Sequence, residues 1–148
     1  MQRDRVYAPH AREPAPTSHV VNLPGLVRCA LALHDQELAA RLTEGIEPRT
    51  PLADHALCAT RAALTEAAGD PAEAAALYAG AAERWATLGD VPERAHALLG
   101  HGRCLLADGQ TDAELPLAQA HDLFASMGYK PALAETESLL ARAAAPAP

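Results

Sequence analysis

The chain has 148 residues, enough for one domain or a short array of repeats, and a core of that size needs no disulfide or metal. Hydrophobic residues make up 49% but aromatics only 3%, and isoleucine occurs once (Ile46), so a substantial β-sheet is excluded and an alanine- and leucine-rich helical protein is expected. The formal charge of −7 is the wrong sign for a chain that neutralises nucleic-acid phosphates by itself.

Residues 1–21 carry Pro9, Pro14 and Pro16 among mixed charges and show no apolar periodicity. They are expected to be a poorly ordered lead-in, without the apolar stretch of a secretory signal. Residues 22–144 are expected to form a repeat domain of seven helices, at about 23–34, 36–44, 52–68, 71–88, 92–108, 112–127 and 131–144. Residues 145–148, Ala-Pro-Ala-Pro, are expected to fray. No apolar run reaches the ~20 residues a membrane-spanning helix needs.

The helix boundaries share one design. Gly69 precedes Asp70-Pro71-Ala72-Glu73, Gly89 precedes Asp90-Val91-Pro92-Glu93, and Gly109 precedes Thr111-Asp112-Ala113-Glu114 after one intervening glutamine. Glycine ends a helix in the left-handed conformation, and an Asp or Thr accepts from the free amides of the next one. A glutamate three residues on can bond back, and Pro71 and Pro92 fall in a first turn where a missing N–H is harmless. Asp70, Glu73, Glu93, Asp112 and Glu114 are therefore read as caps and dipole partners. Links this short place consecutive helices antiparallel.

The helices so delimited are amphipathic. The fourth places Ala74, Leu77, Tyr78, Ala81, Trp85 and Leu88 at helical spacing, the fifth Ala95, Leu98, Leu99, Gly102, Leu105 and Leu106. The sixth offers Ala113, Leu117, Ala120, Phe124 and Met127, with Pro116 expected to bend it or delay its start. Apolar residues at the two ends (Leu26, Val27 and Leu33 in the first helix, Leu133, Leu139 and Leu140 in the last) face inward or else predict self-association.

The pattern recurs. Trp85-Ala-Thr-Leu-Gly89 matches Phe124-Ala-Ser-Met-Gly128 at a spacing of 39, and Gly69 matches Gly109 at 40. Two helices per unit at this period is the signature of a helical-hairpin solenoid. The small residues, the large aromatic closing the second helix and the proline opening the first resemble tetratricopeptide-type (TPR-like) repeats. The units are longer than usual, and that family's full first-helix signature is missing. The run 81–110, with its flanks 51–57 and 123–143, is more specifically similar to the carboxy-terminal repeats of multidomain ATPases of high-GC bacteria, described as LuxR-type regulators or as associated with adenylate/guanylate cyclase domains. That resemblance implies a TPR-like α–α superhelix, either free-standing or the tail of a larger regulator. It implies no activity, since the chain has no Gly-x-x-x-x-Gly-Lys-Ser/Thr loop, cyclase carboxylate pair or basic helix-turn-helix.

Few residues suggest chemistry. His55/Cys58 and His101/Cys104 each put two metal-ligand types on one helix face, but their separation of 46 does not match the repeat, so metal binding is not expected. No nucleophile motif surrounds a serine or cysteine. Arg61, His96 and Arg103 fall on the first helices of the units, which line the concave surface of tetratricopeptide folds. There an arginine can grip a carboxylate through two N–H groups. The expectation is a noncatalytic scaffold or regulatory module for a protein or peptide partner, without cofactor and in the reducing cytoplasm. The alternative is a sensor holding a peptide or small molecule in the groove.

Overall fold

The structure is a computed structural model in which residues 17–146 are described. Among them are seven helices and no strand: α1 (Thr17–Ala32), α2 (Gln36–Thr43), α3 (Pro51–Ala67), α4 (Pro71–Leu88), α5 (Val91–Ala107), α6 (Glu114–Met127) and α7 (Lys130–Ala144). No described helix is long and apolar enough to cross a membrane.

Capping accounts for most boundaries. Asp70 accepts from the Glu73 amide at 3.1 Å and Asp90 from the Glu93 amide at 2.9 Å. Asp35 caps α2 and Thr50 caps α3 in the same way. Gly89 and Gly128 end α4 and α6 with φ of +80° and +67°, a region that favours glycine.

Four expectations are corrected. The lead-in expected over residues 1–21 is helical from Thr17, and residues 1–16 lie outside the described residues. Pro24 sits inside this helix, Leu23 is fully buried, and a 3.3 Å contact of the His19 ring with the Leu42 carbonyl ties the early turns to α2. Helix α6 starts at Glu114 behind Ala113, which supplies no side-chain cap, so Asp112 does not cap it and Pro116 falls in its first turn. Glu93 does not close a capping box, because its carboxylate takes a distant arginine. Leu88 and Met127, expected in the core, are exposed at the helix ends, 47% and 37%. Beyond Ala144 the chain turns extended at Ala145, and residues 147–148 are not described.

Each helix packs on the next, and α1 also meets α3, α3 meets α5 and α5 meets α7. The core is mostly alanine, with Trp85, Phe124, Leu23 and Leu117 as its largest fully buried members. Alanine brings helix axes close, and α5 goes further with glycine at its two tightest contacts. A Cβ on Gly100 would meet the Tyr78 ring of α4, and one on Gly102 would meet Leu117 of α6, both at less than 3 Å. At the chain's apolar ends, Val27 and Leu139 are buried, while Leu26 and Leu33 are 41% and 77% exposed.

The two matching sequence segments around Trp85 and Phe124 make similar contacts. Trp85 and Phe124 are the equivalent buried aromatics of α4 and α6, and each meets a histidine ring edge-on. His55 lies 5.7 Å from Trp85 and His96 lies 5.1 Å from Phe124, between ring centroids. Each histidine stands four residues after the proline near its helix start, Pro51 or Pro92.

The glycine seats yield the first prediction. Gly100→Ala and Gly102→Ala each destabilise the fold by about 1–3 kcal/mol through overpacking. Gly80→Ala, with open space at its Cβ inside α4, stabilises it by about 0.5–1 kcal/mol. Denaturant unfolding of the three variants measures both signs.

Candidate functional site

A cavity of about 700 Å³ is walled by α1, α3, α5 and the start of α7, with Tyr78 reaching in from α4. Its apolar floor includes Ala59 and Ala63 of α3 and Ala97 of α5, small because these helices approach one another there. Its polar groups are organised around two arginines.

Arg28 of α1 donates from both terminal nitrogens to Glu93 of α5, at 2.7 and 2.8 Å, a two-pronged pair from one wall to the other. Arg103 of α5 donates through Nε and Nη2 to Glu66 of α3, at 2.5 and 2.8 Å, and through Nη1 to Glu135 of α7, at 2.9 Å. The Tyr78 hydroxyl donates to Glu66 at 2.7 Å. A single carboxylate therefore joins α3, α4 and α5, and Arg103 adds α7.

These contacts set the protonation states. Burial pulls the Glu66 carboxyl upward, but hydrogen bonding and charge from Arg103, with further bonds from Tyr78 and Cys104, outweigh it and hold Glu66 below the usual carboxylate range. Burial and the nearby Glu66 raise Tyr78. For Arg103 burial works the other way, yet the pairing with Glu66 raises it further, so it stays charged. Burial and Glu66 push the Cys104 thiol up to about 12, the reverse of what a nucleophile or metal ligand requires. Burial, then the charges of Arg28 and Arg103, push His96 down to about 4.

The three residues expected to contact a ligand are placed differently. His96 and Arg103 line the cavity; Arg61 is exposed on α3 and does not line it. Arg103 does grip carboxylates through two N–H groups, as its residue type suggests, but they are the protein's own. The His55/Cys58 and His101/Cys104 pairs do not converge, and no group of three or more His, Cys, Asp or Glu placed to hold a metal occurs among the described residues. His55 lies instead against Trp85, and the Cys58 thiol points at the Leu77 carbonyl, 3.9 Å away.

Arg28, Glu66 and Glu135 escape notice in the sequence, and Glu93 is read there only as a cap, because their partners lie 32 to 65 residues away. One signal was available. Glu135 stands four residues after Pro131, as His55 and His96 do after their prolines, which assigns it to the same face of its helix. Tyr129, in the α6–α7 link, is 49% exposed at the cavity and packs 5.7 Å from the His96 ring. No family model, curated protein or solved structure matches this chain.

The position of His96 gives a pH prediction. Folding holds its pKa at about 4 against an ordinary 6.5, so between these values the unfolded chain binds the extra proton and stability falls as pH falls. The loss from pH 7.5 to pH 5 attributable to this ring is about 2 kcal/mol. Urea unfolding at the two pH values should show His96→Gln losing less stability than the parent by about that amount.

Proposed function

We propose that the chain is a noncatalytic protein-interaction module of TPR-like architecture that receives a segment of a partner protein in the cavity between its alternate helices. The observation that carries this reading is the cavity of about 700 Å³, walled by α1, α3, α5 and α7. Two-residue links such as Gly89–Asp90 reverse the chain between packed helices, and contacts between alternate helices give the stack an inner face. Equivalent aromatics, histidines and closing glycines at repeat spacing support a superhelix of helix pairs. The resemblance to repeats of bacterial regulators supports a regulatory role beside a signalling ATPase or a transcriptional regulator.

The chemistry around the cavity favours binding over turnover. Both of its guanidinium groups are taken up by the protein's own carboxylates, and Cys104 is held as a thiol. The three free cysteines fit a reducing compartment such as the cytoplasm. A small-molecule sensor is the second reading, favoured by a cavity volume within the ~300–1,000 Å³ common for small ligands.

Selection from a displayed random-peptide library against the immobilised protein tests the first reading. Enriched peptides are expected to shift amide resonances of Ala59, Ala63 and Ala97, and to bind at least ten times more weakly to Cys29→Trp, which fills the cavity from α1. Shifts confined to other surfaces would refute the groove. Thermal stabilisation by metabolites but by no peptide would leave the sensor. The exposed Leu26 and Leu33 add self-association to the proposal; light scattering is expected to show a mass rising with concentration, and Leu33→Gln is expected to reduce it.

A further inference from the structure

We infer that the groove takes a basic peptide segment, with one arginine or lysine of the partner seated between the carboxylate of Glu135 and the ring of Tyr129 and apolar neighbours on the alanine floor. This rests on the groove-binding function proposed above and adds the chemistry of what is bound.

The first argument is charge. Three carboxylates, Glu66, Glu93 and Glu135, line the cavity against two guanidinium groups, Arg28 and Arg103. Arg28 is matched by both oxygens of Glu93, and Arg103 by both oxygens of Glu66. Glu135 is the carboxylate in excess. It is held to Arg103 through Oε1, and its side chain is 49% exposed, so a second cation can approach it at little desolvation cost. His96 adds no positive charge at neutral pH, because its pKa lies at about 4. An anionic ligand would add to this local excess and to the formal −7 of the chain; a cationic one is drawn in by both.

The second argument is the surface beside that charge. Tyr129 is half-exposed where it lines the groove, and its ring is backed by His96 at 5.7 Å and Phe124 at 5.9 Å. A braced, half-exposed aromatic ring lining the same cavity as a carboxylate suits a guanidinium or ammonium group through the ring quadrupole as well as through charge. The remaining space exceeds what one such group fills, and its alanine floor accommodates small apolar side chains on either side. A peptide segment supplies both.

Cys29 provides a reporter, since its exposed thiol lines the same groove. Its alkylation by iodoacetamide, followed by mass spectrometry, is measured with millimolar acetylated and amidated pentapeptides. One carries arginine between two leucines with alanine at each end, and the other has glutamate in place of the arginine. Arginine amide alone is the third probe. The arginine peptide is expected to slow Cys29 alkylation at least about threefold, the other two probes to leave it unchanged, and Glu135→Gln to abolish most of the protection. Equal protection by the glutamate peptide, or full protection in Glu135→Gln, would overturn the charge assignment while leaving the groove as a binding site. Equal protection by arginine amide would replace the peptide by a small amine. No protection by any probe would overturn this inference, and, together with library peptides that do not map to the groove, the function on which it rests.

Discussion

The seating of the Tyr78 ring over Gly100 is the contact on which the rest of the structure depends. It lets α4 and α5 approach more closely than two alanines would allow, and it aims the phenol along the helix surface so that its hydroxyl reaches Glu66. Glu66, fixed by that bond, takes the Arg103 guanidinium, and Arg103 then has one N–H direction left for Glu135 of α7. A chain of single contacts thus runs from an apolar seat to the rim of the cavity. Remove the seat, and the carboxylate loses the donor that orients it. Packing and site chemistry are in this sense one system, and α5 serves both through residues a single turn apart.

The ion cluster has more to do with register than with stability. Withdrawing a carboxylate and a guanidinium from water costs nearly what their attraction returns, so a half-buried pair adds little net stability. What the pair does enforce is geometry. A guanidinium that meets one carboxylate through two bonds and a second through one tolerates little sliding of α3, α5 and α7. The Arg28–Glu93 pair does the same for α1 and α5. Helices faced with alanine need such pins, because small uniform side chains interlock weakly and leave several registers nearly equal in energy.

Local chemistry made the helices legible in the sequence. Asp70, Asp90, Gly89 and Gly128 act within a few residues of themselves, and alanine-rich stripes fix a period without reference to the rest of the fold. Boundaries failed where a tertiary contact overrode a local signal. Residues 17–21, without apolar periodicity of their own, continue α1 where the His19 ring meets the Leu42 carbonyl of α2. Asp112 has the right residue type for a cap but is displaced when Pro116 is accommodated in the first turn. The site was legible only as a surface. His96 and Arg103 line the cavity, as the resemblance to tetratricopeptide folds implies for a ligand-facing surface, but the carboxylates that occupy Arg103 come from α3 and α7, and no spacing rule carries information over such distances. Arg61 shows the limit of that reasoning: the right helix and residue type, turned toward solvent.

The position four residues after the proline near the start of α3, α5 and α7 shows how similar helix openings serve different chemistry. In α3 and α5 it holds a histidine whose edge meets the large aromatic of the following helix, Trp85 or Phe124. In α7 the same offset from Pro131 holds Glu135, which pairs with Arg103 of α5 instead of meeting an aromatic ring. A histidine there would stand beside Arg103 with nothing to balance the guanidinium toward α7. A glutamate completes the pairing and turns a core position into a rim carboxylate. The excess negative charge of the groove therefore comes from a helix position that carries a packing histidine in α3 and α5 and a carboxylate in α7.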